Sequence, residues 1–345
     1  MGARALKFVA SLSMAVALAG VIVIAAWSQL NAYLVQAGPA TEETVVVLPR
    51  GAGLAEITAA LLEARVIDHP WLFRLAVRVL GRDRRLKAGE YAFPARATPQ
   101  GVIAMLANGE TVARRLTVAE GLSVAEIYQL LQSTPALEGE LPPPPEEGSL
   151  LPETYFYAFG DSRLGLVRRM QDAMRQTLDE LWAARAAGLP LRTREEALTL
   201  ASIVDKETGL AAERDKVAAV FINRLRRGMR LQADPTVIYG ITAGDGRLGR
   251  ELSRRDWQHG SAYNTYQIDG LPPGPIGNPG RAAIEAVLSP APVDYLYFVA
   301  DGSGGHAFAR TLEEHNRNVA RWRKVKNGER PQSVAPSPPK PENAS

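Results

Sequence analysis

The twenty residues from Phe8 to Trp27 carry no charge and only Ser11 and Ser13 as polar interruptions. At 1.5 Å per helical residue such a run reaches about 30 Å, the thickness of a hydrocarbon core. This segment must be withdrawn from water, and that requirement precedes every other folding decision. Arg4 and Lys7 flank it on one side; on the other no basic residue occurs until Arg50, while Glu42 and Glu43 intervene. The positive-inside rule then places the N-terminus in the cytoplasm and everything after about residue 30 outside. The alternative is a cleaved signal peptide, whose apolar region usually runs about 7–15 residues. The longer run, followed by Gln29 and Leu30 without a small-x-small cleavage site, favours an uncleaved anchor. No second run of comparable length follows, so a single crossing is expected.

Composition narrows the rest. With 345 residues the chain exceeds one ordinary domain of roughly 150. Forty Lys and Arg against 37 Asp and Glu leave a net charge of +3, and no basic run is interleaved with aromatics, so a nucleic-acid partner is not indicated. There is no cysteine, which excludes disulfides, thiolate metal sites and a cysteine nucleophile. The four histidines, His69, His259, His306 and His315, lack metal-ligand spacing, and surface or turn roles are expected for each. Neither a metal nor a cofactor is expected.

The hydrophobic patterning predicts an α+β chain. Thr44 to Leu48 reads as a β-branched strand, Leu54 to Ala64 as a helix with Leu54, Ile57, Leu61 and Leu62 on one face, and His69 to Leu80 as a second helix. A returning strand at Gly89 to Phe93 closes a βααβ unit, and a helix from Pro99 to Ala107 and a strand from Val112 to Val118 continue from it. An echo at an offset of 70 relates Leu48-Pro49-Arg50-Gly51 and Leu54-Ala55-Glu56-Ile57 to Val118-Ala119-Glu120-Gly121 and Val124-Ala125-Glu126-Ile127. Two ordinary strand-to-helix turns explain it as well as a duplication does. Pro142 to Pro145 followed by Glu146-Glu147-Gly148 reads as an extended connector between lobes. A long helix is expected from about Leu164 to Ala187, and helices from Glu195 to Glu207, Glu213 to Met229 and Thr311 to Lys326. Strands at Tyr295 to Ala300 and His306 to Ala309 form a hairpin. The boundaries so drawn are a cytoplasmic segment at 1–7, an anchor at 8–30, a linker at 31–43, a small unit at 44–118, a larger one at 119–328 and a disordered Pro-rich tail at 329–345.

One carboxylate stands out. In the helix over 195–207, Ala197, Leu200, Ala201 and Val204 form an i, i+3, i+4, i+7 stripe, and the next stripe position is Glu207. A carboxyl ending a buried stripe is partly desolvated, which raises its pKa towards that of a general acid near neutrality. The competing reading is a helix-terminal glutamate satisfied by a nearby arginine. Asp234-Pro235 reads first as an N-cap with proline behind it. Gly270 to Gly280 is a Pro- and Gly-rich loop, stiff enough to wall a groove. Tyr263, Asn264 and Tyr266 beside it offer ring faces and an amide, although packing in a core accounts for such aromatics equally well. Ser202 reads as a helix-packing residue, and Arg224, Arg226, Arg227 and Arg230 as a solvated face.

Taken in order, Leu200-Ala201-Ser202-Ile203-Val204-Asp205-Lys206-Glu207-Thr208, Val220-Phe221-Ile222-Asn223-Arg224-Leu225, Asp234-Pro235-Thr236-Val237, Tyr263-Asn264-Thr265-Tyr266, Gly270 to Ile276, Tyr295 to Val299 and Glu314-His315-Asn316 closely resemble the YceG-like endolytic murein transglycosylases. The likeness extends over about residues 44 to 326. It implies a single-pass inner-membrane enzyme with a small LysM-like α/β subdomain, and a larger mixed α+β catalytic domain in the periplasm acting on peptidoglycan glycan strands. Glu207 falls on the family's catalytic glutamate, with Gln232, Asp234, Tyr263, Asn264 and Tyr266 as candidate substrate contacts. The expected product carries a 1,6-anhydroMurNAc end, and peptidoglycan synthases of the elongation or division machinery are the partners the family suggests. Two positions depart from the family pattern: Asp205 stands where glutamate is usual, and Glu153 where aspartate is usual. A non-catalytic, membrane-anchored peptidoglycan-binding scaffold is the competing function.

Overall fold

The computed structural model describes residues 3–246 and 248–326. The expected tail at 329–345 and the first two residues of the expected cytoplasmic segment lie outside the described residues. In chain order the elements are α1 (Ala3–Val35), β1 (Thr44–Leu48), α2 (Leu54–Glu63), α3 (Pro70–Val79), β2 (Gly89–Phe93), α4 (Pro99–Asn108) and β3 (Arg114–Thr117). They continue with α5 (Val124–Ser133), β4 (Leu137–Glu138), β5 (Thr154–Tyr157), β6 (Asp161–Ser162), α6 (Arg163–Ala183), α7 (Arg194–Glu207), α8 (Arg214–Arg226) and α9 (Asp234–Thr242). The last are α10 (Arg281–Leu288), β7 (Tyr297–Ala300), β8 (His306–Ala309) and α11 (Leu312–Lys326). Mixed α+β is the observed class.

The chain divides into two compact units. The first takes everything up to Leu116 together with Pro135–Gly139 and Phe156–Ser162. Within it, β1 and β2 pair antiparallel from Thr44↔Phe93 to Leu48↔Gly89, and α2 and α3 pack beside them. Phe73, Tyr91, Phe93, Leu61 and Leu106 are fully buried in its core, with the Tyr91 and Phe93 rings stacked 5.8 Å apart. Helix α1 has one apolar stretch, Leu12–Val35, long enough to cross a membrane. Its middle is bare, with Met14, Val16, Val21 and Ile24 all exposed, but Leu30, Tyr33 and Leu34 are buried in the unit's core. The helix therefore continues to Val35, into the stretch expected as linker, because that end has a protein surface to pack on.

The second unit comprises Thr117–Thr134, Glu140–Tyr155 and everything from Arg163. Helix α7 is its axis. Every residue from Ala197 to Val204 is buried, with α6, α8, α9 and α10 packed around it. Val217, Phe221, Ile276, Ile284 and Val287 complete the core. The proline segment at 141–148 belongs to this unit, directly after the first unit's Pro135–Gly139. Glu147 there accepts from the Val124 amide (2.8 Å) and from Asn278 Nδ2 (3.0 Å), and Gly148 and Leu150 are buried. Composition marked the segment as extended but could not show that its last residues were riveted into a core.

The echo at 70 residues has a local structural counterpart. Gly51 and Gly121 both take left-handed φ, of 82° and 76°, and Glu56 and Glu126 reach back to the backbone amides of Gly53 and Ser123. Each half is thus a left-handed glycine turn leading into a capped helix.

Candidate active site

Glu207 closes α7. Thr208 leaves the helix in an extended conformation, and its hydroxyl accepts from the Leu210 amide at 3.1 Å, turning the chain away. The glutamate is thereby held at the negative end of a helix whose inward face is fully buried, a poor place for a second negative charge. As a residue Glu207 is half-buried. Burial, reinforced by the charge of Asp234 and opposed by that of Arg224, pushes its pKa up to about 8. Among the described residues no donor reaches the carboxyl and no arginine pairs with it. The reading of Glu207 as a terminal glutamate satisfied by arginine is therefore not what the structure shows.

Arg224 corrects the expectation of a solvated arginine face. It is 8% exposed, with Nε donating to the Leu296 carbonyl (2.7 Å) and Nη1 to the Leu231 carbonyl (2.7 Å), and its guanidinium lies 5.3 Å from the Tyr297 ring centre. A signal for it existed: Val217 and Phe221 define the inward face of α8, and position 224 is the next on that face. His315 stacks on Tyr297, whose ring also faces the Arg224 guanidinium, at 5.2 Å; burial and the Arg224 charge lower its pKa. His306 is also no free turn residue, since its Nδ1 lies 2.8 Å from Glu213 Oε2.

The Leu231 carbonyl held by Arg224 leads directly into the segment that carries Gln232 and Asp234. Gln232 has a left-handed φ of 51°, unusual for a side chain of its size and costing on the order of 1 kcal/mol. The conformation is held because the Gln232 amide donates to the Thr265 carbonyl (3.2 Å) and the Ala233 amide to Thr265 Oγ1 (2.9 Å). Thr236 Oγ1 closes the zipper, 2.9 Å from Thr265 Oγ1. Asp234 is not the cap of α9: Ala233 occupies that position and makes no side-chain cap. The carboxylate turns outward instead, and its Oδ1 accepts from Tyr266 Oη (2.7 Å) and from Trp257 Nε1 (3.0 Å).

The expected sugar contacts thus separate. Gln232 and Asp234 are exposed, and Tyr266 stands beside them. Asn264 is fully buried: its amide nitrogen donates to the carbonyls of Trp257 (3.1 Å) and His259 (2.8 Å), and its oxygen accepts from the Tyr266 amide (3.0 Å). It braces the 257–266 loop from inside. Tyr263 is half-buried with its ring 4.7 Å from that of Tyr239, at the edge of the core.

The loop from Gly270 to Gly280 is pinned over its second half, Ile276 to Gly280. Ser202, expected only to pack, accepts from the Ile276 amide (2.9 Å) while donating to the Thr199 carbonyl (2.7 Å). Asn278 is fully buried, with Oδ1 accepting from Leu150 N (2.9 Å) and Nδ2 donating to Leu122 O (2.9 Å). A Cβ on Gly277 would meet the Gly121 carbonyl oxygen at 2.6 Å, so this close approach requires glycine. Asp205 faces away from Glu207, toward the Gly280 amide (3.3 Å), Glu120 and Arg214; burial and Glu120 push its pKa up to about 6. A cavity of about 540 Å³ opens on that side, lined by Glu120, Asp205, Lys206, Tyr239, Arg250 and Ile276; Glu207 is not among its lining residues.

The site thus combines a carboxyl of raised pKa at the end of a buried helix, Glu207, with an exposed carboxylate, Asp234, within electrostatic reach of it. The YceG-like family matches residues 46–321. The chain belongs to that family. It is 30% identical over 312 residues to the endolytic murein transglycosylase of Bacillus subtilis (strain 168), covering 81% of this chain and 85% of the relative. It is 29% identical over 324 residues to the endolytic murein transglycosylase of Streptococcus pneumoniae serotype 2 (strain D39), covering 80% of this chain and 57% of that longer relative. Among solved structures, a putative YceG-like protein from Listeria monocytogenes aligns with a TM-score of 0.49 and 29% identity, over 80% of this chain and 98% of the other.

Proposed function

We propose that the protein is an endolytic lytic transglycosylase that cuts the MurNAc–GlcNAc bond of nascent peptidoglycan strands and leaves 1,6-anhydroMurNAc ends. The observation that carries this reading is Glu207: a carboxyl with a pKa near 8, bound by no donor among the described residues, on a helix packed by α6, α8, α9 and α10. A pKa near 8 leaves it mostly protonated at neutral pH, and so able to donate to a substrate.

Hydrolytic glycosidases use two carboxylates because one of them must activate water or act as nucleophile. A lytic transglycosylase needs one. Glu207 protonates the glycosidic oxygen as the bond to C1 breaks. The resulting carboxylate then accepts the proton of the C6 hydroxyl on the same muramic acid, as that oxygen closes onto C1. The attacking group is already part of the substrate, which supplies the high effective molarity of an intramolecular reaction. The two charges near Glu207 suit this cycle: Asp234 favours the protonated form that starts it, and Arg224 supports the anion in the middle. Asp234 also presents negative charge to the developing positive charge on the sugar. Gln232, Asp234 and Tyr266 are the contacts offered to glycan; Asn264 and Tyr263 support the loop that carries Tyr266.

In this reading residues 44–118 form the LysM-like subdomain and 119–328 the catalytic domain. The helix from Ala3 holds both in the periplasm on the outer face of the cytoplasmic membrane, where the glycan is being made and where peptidoglycan synthases are the expected partners. The test is to incubate full-length protein in detergent with uncrosslinked glycan and analyse the products by mass spectrometry. Anhydro-ended fragments are expected, reduced about 10²–10⁴-fold in Glu207→Gln. Reducing ends would assign hydrolysis instead, and intact glycan would leave the binding scaffold as the function.

A further inference from the structure

One aromatic beside Asp234 is immobilised to a degree that packing alone does not require. Trp257 lies half-exposed in the short helical turn Asp256–Gln258. Its indole Nε1 donates to Asp234 Oδ1 at 3.0 Å. Its carbonyl accepts from two side-chain amides, Asn264 Nδ2 (3.1 Å) and Gln267 Nε2 (2.8 Å). Its ring lies 5.9 Å from that of Tyr266, tilted by 34°. The preceding residue is clamped as well: Asp256 receives both Nη atoms of Arg250 (2.6 and 2.9 Å) and the amide and hydroxyl of Ser253 (2.7 Å each). These contacts hold the Asp256 carboxyl far below the usual carboxylate range.

An indole is a large apolar surface, and leaving part of it in water forgoes its burial. Trp257 is part-exposed as a residue, and both its backbone and the polar edge of its ring are fixed, so its indole loses little freedom on meeting a ligand. The carboxylate at its edge is only half used. Both neighbours bond to Oδ1, and Asp234 Oδ2 has no partner among the described residues. A flat aromatic surface joined at one edge to a free anionic acceptor matches a pyranose, which has an apolar C–H face and hydroxyl or N-acetyl N–H donors around its rim. Asp234 and Tyr266 also lie within electrostatic reach of Glu207, so a sugar seated there adjoins the acid.

We propose that Trp257 and the free oxygen of Asp234 form a hexose subsite next to Glu207, in which one N-acetylated sugar of the strand lies on the indole and donates to Asp234. This rests on the reading of the substrate as glycan. The subsite fixes which sugar register presents its glycosidic oxygen to Glu207, and Trp257 is a specificity-determining residue.

The test uses full-length protein in detergent, carrying Glu207→Gln to prevent turnover, and isothermal titration with uncrosslinked GlcNAc–MurNAc oligosaccharides. Trp257→Phe and Trp257→Leu both remove the bond to Asp234 and both keep an apolar side chain, but only phenylalanine retains an aromatic face. Leucine is expected to bind at least fivefold more weakly than phenylalanine, with equal melting temperatures. In the Glu207 background the same change should raise KM more than it lowers kcat. Equal affinities for the two variants would overturn the proposal, as would an unaltered affinity in Trp257→Leu or an absence of any binding by the Glu207→Gln parent. If binding depends on the aromatic face while wild type yields no cleavage, the subsite stands and the transglycosylase reading fails.

Discussion

At the scale of single residues, the behaviour of Glu207 is set by two neighbours of opposite sign acting on a desolvated carboxyl. Its raised pKa means that the folded protein retains a proton which the unfolded chain gives up near the ordinary value of 4.5. That contribution to stability is complete below about 4.5 and is lost as pH rises through about 8. In the proposed cycle the acid step follows the same proton. Asp234 raises the pKa of Glu207, so Asp234→Asn, which still accepts from Trp257 and Tyr266, is expected to move the alkaline limb of the kcat–pH profile to lower pH. A titration of cleavage rate between pH 6 and 10 in both proteins checks this; an unmoved limb means that the two carboxyls do not interact. Glu207 was legible in the sequence because it extends an apolar stripe. Arg224 satisfied the same criterion on α8 and was hidden by three further arginines in the same stretch. Trp257 had no comparable signal, because its significance comes from Asp234, Asn264 and Gln267, which the fold brings to it.

Between elements, the site depends on a few cross-braces more than on the helices themselves. Arg224 is the strongest, joining α8 to the residue before β7 and to the carbonyl that precedes Gln232. Replacing it with methionine keeps the length of the stem but leaves the Leu231 and Leu296 carbonyls without a buried donor. A loss of about 2–4 kcal/mol is expected, measured by denaturant unfolding. The Glu207 pKa should rise at the same time, because the charge that lowers it is gone; a pH profile separates this effect from simple loss of folded protein. The longer helices and the β1, β2, β7 and β8 strands were readable to within a few residues, since periodicity and the glycine turns act locally, whereas α10 and the short strands β4, β5 and β6 were not read. Contacts such as Asn278 to Leu150 and Ser202 to Ile276 were not, because they join residues 128 and 74 positions apart through loops with no period to read.

For the molecule as a whole, the absence of cysteine turns orientation into a measurable quantity. Arg192 has a side chain 90% exposed, so Arg192→Cys provides a single reactive thiol in a chain that otherwise has none. If the positive-inside reading is right, this thiol reacts with a membrane-impermeant maleimide in cells whose outer envelope has been opened but whose inner membrane is intact. Protection until detergent is added would place the second unit in the cytoplasm and remove it from its proposed substrate. An enzyme facing outward works at the pH of the surroundings and not at that of the cytosol. If Glu207 is the acid of an outward-facing glycan-cutting enzyme, as proposed, the fraction of molecules able to cut declines as the medium turns alkaline. Glycan strands would then grow longer between cuts, and the mesh of the wall would record the acidity in which the cell grew.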